Sequence, residues 1–112
     1  MTYSPEHIEI AKEIMRVSKR LEKASKEIFG MADTKAEAER EYRKALAKRI
    51  MELRAQGLPA TICSDVARGE VADLKFNRDL SDGKFKAAIE SLGAIKVQAS
   101  MMQTIHKRYD NL

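Results

Sequence analysis

Apolar residues recur along this chain at alternating steps of three and four. Ile10, Ile14, Val17, Leu21, Ala24 and Ile28 form the first such series, an average step of about 3.5 that puts all six on one narrow stripe of a helix. Ser4-Pro5-Glu6 stands just before it. A hydroxyl cap followed by a proline whose missing N–H needs no partner is a helix start, and Gly30 is the first stop signal, so a helix is predicted over about 5–29. Thr34-Lys35-Ala36-Glu37 has the T-x-x-E spacing of a capping box, in which hydroxyl and carboxylate satisfy free N–H groups reciprocally. It predicts a second helix over 35–56 with Ala38, Tyr42, Leu46, Ile50 and Leu53 as its apolar stripe, stopped by Gly57-Leu58-Pro59. The short link between the two makes them expected antiparallel neighbours.

After Pro59, residues 60–68 read as a short helix capped by Gly69, with Leu58, Ile62 and Val66 at helical spacing. From Glu70 the three-four rhythm returns at Val71, Leu74, Arg78, Ser81, Phe85, Ala88, Leu92, Ile95, Ala99, Met102, His106 and Tyr109. Ser81-Asp82-Gly83 is the one place where a turn and a fresh cap are an alternative. The unbroken phase favours a single helix over 70–109. At 1.5 Å per residue such a helix is about 60 Å long, whereas a compact chain of this size has a radius of gyration of about 13 Å. Its distal part is therefore expected to find Phe85, Leu92, Ile95 and Met102 a partner in another chain, as a homo-oligomer. The fold class expected is all-α: an antiparallel helical hairpin plus a long C-terminal helix, bundle or coiled-coil-like, in one domain over 1–112.

Composition supports helices and narrows the setting. The 112 residues include 44% hydrophobic and 34% charged side chains, six aromatics, five Gly and two Pro, enough apolar content to fold and few helix breakers. One cysteine allows no internal disulfide, which fits a reducing compartment. With no apolar run of about 18 residues and no basic stretch leading into an apolar core at the N-terminus, no membrane association is expected and the cytoplasm is the expected location. The net charge is +4, distributed as +1 over residues 1–30, +2 over 31–57, −2 over 58–83 and +3 over 84–112. The acidic stretch, with Asp65, Glu70, Asp73, Asp79 and Asp82, is suited to meeting a basic helix of a neighbouring chain.

Catalytic chemistry finds little footing. Cys63 has no histidine near it in sequence, and His7 and His106 lie towards opposite ends of the chain on the apolar phase. A lone cysteine in an apolar segment reads as a small buried hydrophobe. Neither C-x-x-C nor H-x3-H spacing occurs, and the glycines stand singly rather than in a phosphate loop. No enzyme, metal or cofactor is therefore expected. The residues that could bind are basic. Arg40, Arg43, Lys44, Lys48 and Arg54 fall within an arc of about 140° at 100° per residue, opposite Tyr42, Leu46 and Leu53. Such a stripe can follow phosphates, although Glu37, Glu41 and Glu52 stand where they can pair with it as an ordinary solvated face. Lys96, Lys107 and Arg108 add a second basic group, with only Tyr42 and Tyr109 near these charges as stacking aromatics. Met51, Met101 and Met102 read as core filler before they read as a plastic binding groove.

Over about residues 42–109 the chain resembles small all-helical accessory proteins of bacteriophages and prophages. In these a helix ending L-R-x-x-G leads into a short A-T segment, an A-x-G turn and a long last helix. The matching residues are Leu53, Arg54, Gly57, Ala60, Thr61, Ala67 and Gly69. The resemblance implies an accessory role near replication and recombination or against a host defence, and carries no catalytic residue across. Three functions follow as expectations. The first is a non-enzymatic phage accessory protein whose helical oligomer binds nucleic acid or a nucleic-acid-processing complex in the host cytoplasm. The second is a counter-defence protein that blocks a host immune complex or sequesters a nucleotide signal, and the third is a coiled-coil scaffold.

Overall fold

The computed structural model describes residues 4–111, which form three helices: α1 (Pro5–Ala55), α2 (Ala60–Glu70) and α3 (Ala72–Asp110). The first start signal acts as read, since the Ser4 hydroxyl accepts a hydrogen bond from the His7 N–H at 3.2 Å. The predicted stop at Gly30 does not act. Helices 5–29 and 35–56 are a single helix of 51 residues, so they are not antiparallel neighbours. Two physical reasons account for this correction. Thr34 does not cap: its hydroxyl donates back to the Gly30 carbonyl at 3.0 Å, a bond available inside a helix to any threonine one turn on. Ile28, Met31, Lys35, Ala38 and Tyr42 also keep the three-four step across the supposed link, and all five are buried or half-buried. A seam that continues gives the helix reason to continue, at the modest cost of one glycine.

At the far end of α1 the stop signal is fully used. Gly57 has φ +91° and is the one residue with positive φ among those described. Its N–H donates to the Arg54 carbonyl at 2.9 Å and the Leu58 N–H to the Leu53 carbonyl at 3.4 Å, the paired bonds of a Schellman motif. Leu58 then packs on the cluster formed by Leu53, Cys63 and Ala67, together with Leu46 and Ile50. Cys63 and Ala67 are small, so α2 lies close against the end of α1. α2 runs two residues past the predicted boundary, and Gly69 lies inside it rather than capping it. The chain instead bends at Val71 (φ −101°, ψ 17°), whose side chain is buried, and enters α3 without a loop. The last helix is continuous through Ser81-Asp82-Gly83, over 39 residues.

Contacts gather the described residues into two compact units, one made of the chain up to Phe29 with that from Lys86 onward, the other Gly30–Phe85. In the first, the beginning of α1 runs antiparallel to the end of α3, with Val17 and Ile95 buried and Arg20 donating to Gln98 at 3.2 Å. In the second, α1, α2 and the beginning of α3 pack together, again with α1 and α3 antiparallel. There the seam is partly polar. Lys35 reaches Asp82 at 3.1 Å and lies over the Phe85 ring. Arg78 reaches Glu39 at 3.5 Å and Asp79 at 2.9 Å, with its guanidinium 4.5 Å from the centre of the Tyr42 ring. Charged layers in an otherwise apolar seam fix register, because a slip of one heptad would separate the pairs. Among the described residues no helix is long and apolar enough to cross a membrane.

Candidate nucleic-acid interface

All five residues of the basic stripe, Arg40, Arg43, Lys44, Lys48 and Arg54, are exposed on α1. Their surroundings divide them. Arg40 pairs with Glu37 at 3.1 Å and Arg43 with Glu39 at 2.7 Å, while Arg54 donates to the Leu58 carbonyl at 3.3 Å. Lys44 and Lys48 have no ion pair among the described residues. Glu52, which the spacing offered to Lys48, binds Arg49 at 3.2 Å instead. Lys44 and Lys48 therefore stand one turn apart on a shallow open groove floored by Ala45, Ala47 and Met51 and bordered by Glu52. Lys96, Lys107 and Arg108 are exposed on α3.

The two tyrosines near these charges are occupied within the chain. Tyr42 lies under Arg78, and Tyr109 meets the His7 ring edge-on with centroids 5.4 Å apart. Both rings thus already have a partner within the chain. Met51 and Met101 are exposed rather than core filler, at 72% and 60%, while Met102 is half-buried.

Two residues of the acidic stretch find basic partners on α1 of the same chain. Asp82 takes Lys35, and Glu70 takes Arg49, whose Nε and Nη2 face the two carboxylate oxygens in a fork. The hydrogen bond from Arg49 holds the Glu70 carboxyl below the ordinary carboxylate range, with burial acting in the other direction. Phe85, Leu92, Ile95 and Met102, expected at an oligomer interface, lie on the seam that packs within the single chain. Ile95 is 8% exposed and the other three are half-buried.

His7 and His106, distant in sequence, share one carboxylate. Asp110 Oδ1 is 3.6 Å from His7 Nε2 and Oδ2 is 3.3 Å from His106 Nε2, and the Ser4 hydroxyl is 2.7 Å from His7 Nδ1. The hint for this meeting was available, since both histidines keep the seam phase of helices that turn out to be antiparallel. The Ser4 hydroxyl also caps α1, which makes it a structural group. Cys63 is fully buried and its thiol donates to the Leu58 carbonyl at 3.4 Å, a packing role far from either imidazole in sequence and in the other compact unit. Among the described residues no group of three or more His, Cys, Asp or Glu is disposed to hold a metal ion. Compared with protein-family models, curated proteins and solved structures, the chain matches none.

Proposed function

We propose that this is a non-enzymatic accessory protein of the bacteriophage kind, acting in the host cytoplasm as a helical homo-oligomer that binds nucleic acid, free or within a nucleic-acid-processing complex, through the outer face of α1. The observation that carries this reading is the pair Lys44 and Lys48, exposed and without ion pairs among the described residues, beside Arg40 and Arg43. The carboxylate partners of those arginines are surface pairs. Exposed pairs contribute little to stability, so a phosphate can replace a carboxylate at small cost. Phosphate contacts release counterions and make affinity fall with salt.

Fluorescence anisotropy with labelled single- and double-stranded oligonucleotides across a salt series tests it. The double variant Lys44→Glu, Lys48→Glu is expected to weaken binding at low salt at least tenfold and to flatten the log-log salt dependence by about two contacts, roughly 0.7–0.9 each. Salt-independent binding, or affinity untouched by the double variant, would refute direct phosphate contact by this face.

A further inference from the structure

The compact unit Gly30–Phe85 segregates its charge by face. Its seam runs through Ala38, Tyr42, Leu46, Ile50 and Leu53 on α1 and through Cys63, Ala67, Val71, Leu74 and Arg78 on α2 and α3, all buried or half-buried. In an antiparallel pair the residues one place after the seam share one face and those one place before it share the other, because reversing a helix also reverses the sense in which its residues wind. The ion pair of Arg49 with Glu70 agrees, since both stand one place before the seam. One place after it are Arg43, Arg54, Arg68 and Lys75, against Glu39 and Asp79. One place before it are Glu37, Glu41, Glu52, Glu70 and Asp73, against Arg49 alone. The unit therefore has a basic face and an acidic one.

On the basic face Arg68 and Lys75 are exposed and, like Lys44 and Lys48, have no ion pair among the described residues. Asp65 and Asp79 stand three and four residues from them, at a spacing that permits pairing, yet Asp79 takes Arg78 at 2.9 Å instead. Glu39 is shared between Arg43 and Arg78. The ion pairs also fix which residues stand side by side. With Arg49 level with Glu70 and Glu39 level with Arg78, Lys75 comes level with Arg43 and Arg68 with Met51. Lys44 adjoins Arg43 on the outer side of α1. Two cations from the stretch 58–83, whose net charge is −2, thus extend the basic stripe of α1 onto the neighbouring arm.

We propose that this face binds the phosphates of a nucleic-acid duplex along two rows, α1 holding one strand through Arg43, Lys44 and Arg54, and Arg68 and Lys75 holding the other. The inference rests on the functional reading, in which α1 contacts nucleic acid, and names the form that is bound. Helices packed side by side have axes about 8–10 Å apart, between the roughly 6 Å and 12 Å widths of the two grooves of B-form DNA. Long Lys and Arg side chains adjust the reach of each row to its strand. A single strand offers one row of phosphates, and proteins that hold it stack its bases on aromatic rings. No aromatic residue stands one place after the seam on either arm. The face offers charge without stacking, which suits the outside of a duplex, where phosphates are the groups presented.

Fluorescence anisotropy of the full chain with a DNA duplex, an RNA duplex and a single strand of the same sequence, across a salt series, tests it. Arg68→Glu with Lys75→Glu, both at exposed positions, is expected to keep the native helical circular dichroism and thermal transition. It should weaken duplex binding at least tenfold at low salt, lower the log-log salt slope on DNA by about two contacts, roughly 0.9 each, and weaken single-strand binding by a smaller factor. Arg68→Gln with Lys75→Gln, which reverses no charge, should lower the slope equally. Lys19→Glu with Lys23→Glu makes the same charge change at exposed positions of the other compact unit and should leave the slope as it is. The duplex that the native protein binds more tightly identifies the source of the phosphates. Native duplex affinity in both Arg68 and Lys75 variants, with Lys44→Glu and Lys48→Glu still weakening it, would overturn the second row and leave the functional reading standing. Equal losses for single strand and duplex would overturn the two-strand arrangement, and an equal loss from the Lys19 and Lys23 variant would overturn the face in favour of net charge alone. A native protein that binds none of the three at low salt would overturn both readings.

Discussion

At the scale of single residues, a few side chains find partners far along the chain. Arg49 and Glu70 tie the end of α1 to the end of α2. Because the Glu70 carboxyl is held below its ordinary range by Arg49, the stabilisation from this pair is complete above the unfolded carboxylate value, about 4.3, and fades as pH falls through the lower folded value. Thermal melts of the native protein and Glu70→Gln should therefore differ in midpoint at neutral pH and converge as pH drops below about 4. An equal difference at pH 3 and pH 7 would contradict the pairing. Local signals of this scale were readable where one residue decides its own neighbourhood: Ser4 caps α1 and Gly57 ends it, as their chemistry dictates. Thr34 was misleading because the same hydroxyl serves equally as a cap or as a donor to the carbonyl one turn back, and only its neighbours decide which. The shared carboxylate of His7 and His106 depends on which helices pair, which neither histidine encodes.

At the scale of elements, α1 is the correction with the largest structural consequence. Gly30 was legible as a stop, yet Met31, Lys35 and Ala38 continue the seam across it, and burial along a continuous stripe outweighs one unfavourable residue. Because the segment is helical, Gly30→Ala should raise stability by about 0.5–1 kcal/mol in urea unfolding, since alanine loses less backbone freedom and nothing lies within 4 Å of the added Cβ. A substantial loss would place Gly30 in a turn with positive φ. The continuity of α3 was visible in advance for the complementary reason: Ser81 and Phe85 hold the phase on either side of Gly83, and Ser81 is itself buried. Which stripe faces which neighbour was not visible. Phe85, Leu92, Ile95 and Met102 satisfied the expected rhythm for a partner chain, but the same rhythm on α1 took them first.

At the scale of the whole molecule, what remains after the helices pair is apolar surface. Among the described residues seven hydrophobic side chains are buried while twelve large ones stay exposed. The basic face of α1 is the surface on which binding should be sought, and it should respond to salt through Lys44 and Lys48. The charge excess of 21 basic over 17 acidic residues is a poor guide by itself, since Arg40, Arg43, Arg49 and Arg78 are all engaged by carboxylates of the same chain. The measurement that tests the account most directly is the mass of the native protein in solution, by light scattering or sedimentation over a hundredfold dilution from high micromolar concentration. A mass above that of one 12.7 kDa chain, falling only towards the dilute end, is the predicted result. A mass of one chain throughout would contradict it.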